Sequence, residues 1–277
     1  MSYQKPIQDK ELPLIEHLKE LLFRLKRILI SLGAFFIIYF TFGITTIKVG
    51  SFQIPILYPT LYDSLSVLLV KYFLNHDLPP GLKLITLNPF DPIYSSAIVS
   101  FYFALFSSLP IIFREFWAFV APGLYDHEKK LIKEVLFPAI SLFIAGSAFA
   151  YFLIIPFMLI FIYRFDLALG VEPTLSLRSY VNTVMTLMGA TGLAFEFPLI
   201  MIGLTKAGLV KGKTWLVNWR WGVFGSFIIA WLISPGVTGG LIETTIGIIL
   251  STMYIVGALI ARSIDRKKVK TTKIMVK

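Results

Sequence analysis

Apolar stretches long enough to cross a membrane recur along the whole chain, and they constrain its fold more than any other feature. A helix needs roughly 20 apolar residues, each rising 1.5 Å, to cross a hydrocarbon core of about 30 Å. The sequence predicts six such spans. They cover residues 28–46, 93–113, 135–162, 181–204, 223–233 and 244–261.

The composition is typical of an integral membrane protein. Of the 277 residues, 56% are hydrophobic and only 15% are charged, and the mean hydropathy is +0.77. Ten-residue alternating segments are missing from the sequence, so we expect an all-α protein. The formal charge of +10 comes from basic residues that flank the apolar spans, which argues against nucleic acid as a partner. The chain has no cysteine, which excludes disulfides and thiolate metal sites.

The placement of the basic residues predicts the orientation of the chain. Short cytoplasmic loops hold an excess of Lys and Arg. If both termini face the cytoplasm, 21 of the 26 Lys and Arg residues lie on cytoplasmic segments. The outer segments then carry only Lys48, Lys71, Lys83, Arg164 and Arg178. An even number of spans and an N-in, C-in orientation therefore support each other.

We expect a single membrane domain over residues 1–277. Residues 1–27 form a cytoplasmic segment with an amphipathic helix, residues 28–261 the six-helix bundle, and residues 262–277 a basic cytoplasmic tail. The first outer loop, residues 48–92, is rich in Leu, Tyr and Phe, so we expect it to pack as an outer cap.

The last two spans are predicted to be short. Only 13 residues separate Arg220 from Ser234, well below the length that a normal bilayer requires, and the sixth span is also on the short side. The alternative is a misplaced boundary, with Trp215, Trp219 and Trp221 forming an aromatic belt at the interface.

Two acids lie near the predicted cytoplasmic surface. Glu20, on the amphipathic helix, either pairs with Arg24 one turn later or serves a binding site. Glu128 lies within the segment FREFWAFVAPGLYDHEKKL, residues 113–131, and is either a solvated charge or a binding group. That segment contains the beginning of a zinc-protease HExxH, but residue 131 is Leu, so the sequence indicates no metal site and no cofactor.

A third acid, Glu196, lies inside an apolar span. An ionised carboxylate is costly in hydrocarbon, so the side chain must face a polar cavity, take a partner or be neutral. Pro198 lacks a backbone donor and frees the carbonyl of Ala194. The sequence therefore predicts a polar notch in a bent helix at Glu196, with a neutral acid bonded to the open backbone as the purely structural alternative.

Five stretches of the sequence form a specific pattern. They are PLIEHLKEL at 13–21, LPPG at 78–81, FWAFVAPGLYDHEKKL at 116–131, GSAFAYFLIIP at 146–156 and SYVNTVMTLMGATGLAFEFP at 179–198. In motifs and in order, the pattern resembles the TatC family, the multispanning receptor subunit of the twin-arginine protein translocase. The combination of APGLYxHE, AFAYF and FEFP is highly specific.

The resemblance implies six transmembrane helices in a concave, glove-like bundle, with both termini inside, the last two helices short and no enzymatic activity. It implies that the protein binds the twin-arginine signal peptide of folded cargo at the cytoplasmic face of the cell membrane. Export is then driven by the proton motive force. The implied partners are TatA-type single-span proteins, other TatC copies and the lipid bilayer, while the existence of a TatB-type partner stays open.

The resemblance also assigns roles to residues of this chain. Glu20 and Glu128 receive the two arginines, because a carboxylate matches a planar guanidinium bidentately. Glu196 is the intramembrane acid that meets a polar residue of the TatA-type partner, and Pro79 matches a family position in the outer cap. The residues that shape the peptide site are Phe119, Pro122, Leu124 and Tyr125.

The chain departs from the family pattern, and its first outer loop is longer than usual. Leu22 stands where the family commonly has Arg, which changes the electrostatics around Glu20. GVTGG replaces a family acid after the outer Pro of the last turn, with Glu243 as a candidate substitute. The alternative function is a proton-coupled solute transporter with Glu196 as its relay, but such carriers have repeats or several facing polar groups, and the sequence shows one acid and no repeat.

Overall fold

The computed structural model describes residues 14–49, 52–120, 126–206, 208–234 and 240–275, and it is mainly helical. Within these residues, four helical segments are long and apolar enough to cross a membrane. They are Asp91–Phe116, Phe137–Ala168, Leu177–Lys206 and Leu241–Arg266. The chain is therefore a helical membrane protein, although these four segments are fewer than the six spans that the sequence predicts.

The first helix, α1 (Leu14–Thr41), continues from the amphipathic N-terminal stretch into the first apolar stretch. It ends at Thr41, so the predicted end of the first span at Thr46 is wrong. Strand β1 (Phe42–Val49) follows and pairs antiparallel with β2 (Phe52–Pro59). The β-branched residues from Ile44 to Ile47 favour a strand, and the expectation of an all-α chain is wrong for this hairpin.

The remainder of the first loop leads to the second long helix. Helix α2 (Leu65–Asp77) comes first, and β3 (Lys83–Ile85) follows the turn at Pro79. Helix α3 (Asp91–Val120) then packs along α1. Tyr39 in α1 and Ser107 in α3 share a hydrogen bond of 2.9 Å, and Ser31 donates to Ser108 at 3.2 Å.

The middle of the chain forms two interrupted helices. Helix α4 (Asp126–Phe149) passes through a π-helical turn (Ala150–Ile154) into α5 (Ile155–Ala168). Strand β4 (Thr174–Ser176) pairs parallel with β3 and precedes α6 (Leu177–Phe195). Helix α7 (Phe197–Lys206) continues beyond a break at Glu196. The predicted interruption before Pro198 is thus present.

The last part contains α8 (Gly212–Val217), α9 (Trp219–Ile233) and α10 (Leu241–Met275). Helix α9 has 15 residues, about 22 Å at 1.5 Å per residue, so the predicted shortness of the fifth apolar segment is confirmed. The predicted shortness of the sixth is wrong, because α10 has 35 residues and 26 of them form a candidate span. The helix continues through the basic residues at which the predicted span ended.

Close packing of α4 against α6 forms much of the core. A Cβ atom on Gly146 would lie 2.7 Å from the backbone oxygen of Thr191, and one on Gly192 would lie 2.7 Å from Ser147 Oγ. Because both positions are glycine, the two backbones approach closely, as small residues allow in membrane helices. Ser147 Oγ donates to the backbone oxygen of Met188 at 3.1 Å, which satisfies its hydroxyl.

Candidate functional site

A cluster of charged residues joins α1 to α3 at the end of the bundle where α3 finishes. Glu20, Arg24 and Arg27 are spaced four and three residues apart, so they share one face of α1. Glu115, in the last two turns of α3, lies against this face. We refer to Glu20, Arg24, Arg27 and Glu115 as the α1–α3 charge cluster.

Arg24 bridges the two acids of the cluster. Its Nε donates to Glu20 Oε1 at 3.0 Å, its Nη2 donates to the same oxygen, and its Nη1 donates to Glu115 Oε2 at 3.2 Å. The structure therefore contains the i,i+4 pair of Glu20 and Arg24. The side chains of Glu20 and Arg24 are 23% and 19% exposed, so this pair is partly accessible from outside the protein.

Glu115 is the most enclosed member of the cluster, with a side chain that is 2% exposed. A buried carboxylate is stable only with compensating charges or hydrogen bonds. Besides Arg24, Glu115 has Arg27 and Arg114 at 3.5 Å, and both of these are more exposed than Arg24. The guanidinium of Arg27 also lies 4.4 Å from the centre of the Phe23 ring on α1, a cation–π contact.

Sequence analysis did not identify Glu115 as a functional candidate. Its contact with Arg24 joins residues 91 positions apart, which no local pattern reveals. The available signal was an acid between Arg114 and Phe116, just beyond the end of an apolar span, where an unpaired charge is costly.

The predicted peptide-site residues are only partly described. Glu20 lies in the cluster, and Phe119 is half-buried in the last turn of α3. Glu128 belongs to the first turn of α4, but its side chain is outside the described ones. Pro122, Leu124 and Tyr125 lie outside the described residues.

Glu196 lies at the break between α6 and α7 and is 6% exposed. Its backbone N–H donates to the oxygens of Leu193 and Ala194 instead of the oxygen four residues earlier. Among the described residues, Oε1 of Glu196 has no hydrogen-bond partner. Leu193 and Ile200, on the same helical face, line an open apolar groove of about 340 Å³ between α6–α7, α9 and α10. Glu196 is next in sequence to Phe197, which also lines this groove, but Glu196 itself is buried and is not one of the lining residues.

Pro79 and Glu243 are two further positions that the sequence singled out. Pro79 is half-buried, and its carbonyl oxygen accepts a hydrogen bond from the N–H of Leu82 at 3.1 Å, which forms the turn into β3. Glu243, in the first turn of α10, is 9% exposed, and its Oε1 accepts a hydrogen bond from Ser234 Oγ at 2.7 Å. This contact ties the end of α9 to the start of α10.

Comparison with known proteins identifies relatives along almost the full chain. Residues 16–242 match the model of the family described as Sec-independent protein translocase protein (TatC). The Sec-independent protein translocase protein TatC of Aquifex aeolicus (strain VF5) is 30% identical over 262 residues, covering 93% of this chain and 98% of the relative. The TatCy protein of Bacillus subtilis (strain 168) is 28% identical over 262 residues, covering 95% and 93%.

A solved structure has the same fold. It is described as the crystal structure of the twin-arginine translocase receptor TatC, and it matches with a TM-score of 0.70 and 27% sequence identity. The match covers 89% of this chain and 98% of that one. The similarity therefore includes the helices that carry both the charge cluster and Glu196.

Proposed function

The chain belongs to the TatC family of Sec-independent protein translocase proteins, and from this we propose that it binds the twin-arginine signal peptide of folded cargo at the cytoplasmic face of the cell membrane. The protein is a translocase subunit and not an enzyme. Its role is therefore one of recognition and assembly, and its acids serve as binding groups.

Glu20 and Glu128 are the proposed acceptors of the two arginines. One observation carries the proposal: the carboxylate of Glu20 already binds a guanidinium, that of Arg24, through two N–H donors. A guanidinium from a peptide can make the same charge-assisted hydrogen bonds. Glu20 is also 23% exposed, so its carboxylate is accessible to a peptide.

The connection between α3 and α4 supports a shared site. The five residues between Val120 and Asp126 can extend at most about 20 Å, so the first turn of α4 begins near the end of α3. Glu128 is in that turn, and Glu20 contacts the last part of α3 through Arg24. Phe119 and the connecting residues Pro122, Leu124 and Tyr125 then form the surface for the apolar stretch of the peptide.

Glu196 is proposed to contact a TatA-type single-span partner. A helix that packs in the groove beside Leu193 and Ile200 would lie next to the break between α6 and α7 at which Glu196 is buried. A polar side chain of this helix that donates to Oε1 would supply the hydrogen bond that this oxygen lacks among the described residues. In an apolar environment such a hydrogen bond favours association. Other TatC copies, and a TatB-type protein if one exists, are further proposed partners.

The proposed arrangement in the membrane has six spans in a concave, glove-like bundle with both termini in the cytoplasm. Helix α1 and the short α9 supply the two spans beyond the four long segments. The order of helices and the distribution of basic residues both fit this orientation. Pro79 then lies in the outer cap.

Crosslinking tests the peptide site. A photoreactive peptide with an Arg-Arg pair and an apolar stretch should crosslink to the unmodified protein, and a Lys-Lys peptide should crosslink poorly. Glu20→Ala and Glu128→Ala should each reduce the Arg-Arg signal by about tenfold, as expected when a charge-assisted hydrogen bond worth about 1.5 to 3 kcal/mol is lost. Equal crosslinking of both peptides by all three proteins would refute the site.

The comparisons give no support to a proton-coupled solute carrier that uses Glu196 as its relay, because the matched relatives are translocase proteins. Vesicles that contain only this protein should therefore show no proton-driven uptake of labelled solutes. Such uptake, if lost in Glu196→Gln, would restore the carrier hypothesis.

A further inference from the structure

Arg24 occupies the carboxylate that the proposed function reserves for a peptide arginine. Both of its donors to Glu20 reach the same oxygen, Oε1, and among the described side chains we find no hydrogen bond to Oε2. An incoming guanidinium can therefore begin to bind at Oε2, but a bidentate contact requires Arg24 to move away from Oε1.

Arg24 already has a second acceptor. Its Nη1 donates to Glu115 Oε2 at 3.2 Å, on the side of the guanidinium that faces α3. Since Glu115 is 2% exposed, its carboxylate is poorly accessible to a peptide but in direct contact with Arg24. A displaced Arg24 would thus remain paired, whereas without Glu115 it would lose its counterion.

We propose that Glu115 is a positioning residue for signal-peptide binding, which retains Arg24 when a peptide guanidinium replaces Arg24 on Glu20. Arg24 then acts as a resident competitor for the acceptor acid, and Glu115 lowers the cost of its displacement. This inference rests on the proposed function, because it takes Glu20 as an acceptor of a peptide arginine.

The net charge of the cluster is a second reason why Glu115 affects peptide binding. Two acids, Glu20 and Glu115, lie among three guanidiniums, those of Arg24, Arg27 and Arg114. The net charge of these five groups is positive before any peptide binds. The two arginines of the peptide must then enter within a few ångströms of them, a distance at which salt screens charges little. Neutralising Glu115 would add to this repulsion, so the test must separate net charge from the retention of Arg24.

The experiment measures the affinity of a fluorescent Arg-Arg peptide for the purified full chain in detergent. Arg24→Gln should tighten binding about two- to fivefold, because it vacates Glu20. Lys19→Gln, an equal charge change at an exposed neighbour of Glu20, should change the affinity less than about twofold. Glu115→Gln should weaken binding about three- to tenfold.

Two double variants with the same net charge then separate the explanations. Arg24→Gln with Glu115→Gln should bind at least as tightly as the unmodified chain, because no competitor remains to be retained. Arg27→Gln with Glu115→Gln should stay weak, because Arg24 remains. Equal recovery in both would show that net charge alone matters and would overturn the proposal.

The remaining outcomes also test the proposal. If Glu115→Gln fails to fold, as melting curves would reveal, Arg24→Gln alone still tests the competition, and unchanged or weaker binding by it overturns the inference. Persistent weak binding in Arg24→Gln with Glu115→Gln would do the same and would make Glu115 a direct acceptor. If instead Glu20→Gln binds as tightly as the unmodified chain, the acceptor assignment in the proposed function fails.

Discussion

Glu196 is a buried acid among apolar helices. It interrupts the helix at α6–α7 and is 6% exposed, with Oε1 lacking a partner among the described residues. A buried polar atom without a partner is costly, so a protein that retains one gains from a group that binds there. In the proposed association, a polar side chain of the partner supplies the hydrogen bond that Oε1 lacks within the described part of the chain.

We expect Glu196→Gln to lower the rate of cargo transport about fivefold to tenfold while signal-peptide affinity changes less than about twofold. An interhelical polar contact in a membrane contributes about 1 to 2 kcal/mol, which sets the size of the transport defect. Transport into membrane vesicles and peptide binding to the same preparation measure the two effects.

The matched control is Glu172→Gln, the same change at an exposed acid that pairs with Lys83. It should leave transport and peptide binding unchanged, because exposed ion pairs contribute little. A loss of peptide affinity in Glu196→Gln would contradict the separation of roles between Glu196 and the α1–α3 charge cluster.

At the scale of residues, local contacts were predictable and distant ones were not. The pairing of Glu20 with Arg24 follows from helical spacing alone. The break at Glu196 follows from Pro198, which cannot donate to the preceding turn. The contact of Arg24 with Glu115 requires two helices to meet, and one sequence does not specify which faces come together.

Among the helices, α9 and α10 approach each other closely at Gly222. A Cβ atom on Gly222 would lie 2.1 Å from the ring of Tyr254, and that ring is 3% exposed. The hydroxyl of Tyr254 also donates to the backbone oxygen of Trp215 at 2.7 Å, so the ring cannot move without losing a hydrogen bond. Even one methyl group should therefore separate the two helices.

We expect Gly222→Ala to destabilise the protein by about 1 to 3 kcal/mol, the usual cost of overpacking, and to lower Tm by several degrees. Gly225→Ala, one turn away on the same helix, has nothing within 4 Å of the added methyl group. It should leave Tm unchanged or slightly raised, because alanine favours helix more than glycine. Thermal melting in detergent, followed by circular dichroism, compares the two, and equal effects would show that the contact is not tight.

Helices could be predicted from the sequence where the length of an apolar segment determines them. The short α9 follows directly from the 13 residues between Arg220 and Ser234. The hairpin after Thr41 was missed because Phe42 and Ile44 extend the apolar run, although the β-branched residues there favour a strand. The π-helical turn at Ala150–Ile154 has no comparable sequence signal, since it depends on how α4 and α5 pack.

Across the whole molecule, contacts between distant segments group the loops at two ends of the bundle. Strands β3 and β4 pair, so the segments before α3 and before α6 lie at the same end. In the C-terminal part of α10, Asp265 Oδ2 accepts a hydrogen bond from the backbone N–H of Gly212 at 3.1 Å, so α8 lies beside this part of α10. Helices that cross a membrane in alternating directions have their connecting loops grouped at two ends in this way.

The orientation of this bundle can be tested with cysteine labelling, because the chain has no cysteine of its own. Tyr62, between β2 and α2, and Leu169, at the end of α5, are 88% and 65% exposed, and Leu209, between α7 and α8, is 75% exposed. A membrane-impermeant maleimide added to intact cells should label Tyr62→Cys and Leu169→Cys. It should label Leu209→Cys only after the membrane is permeabilised.

This pattern follows from the crossings themselves. With the N-terminus inside, α1 leads to the outer face, α3 returns, α4–α5 leads out again and α6–α7 returns, so Tyr62 and Leu169 share one side and Leu209 takes the other. The excess of Lys and Arg then lies in the cytoplasm, as the charge rule requires. Glu20, which precedes the first crossing, also faces the compartment in which cargo folds. Labelling of Leu209→Cys in intact cells, with protection of the other two, would invert the bundle and place the charge cluster on the wrong side for its proposed ligand.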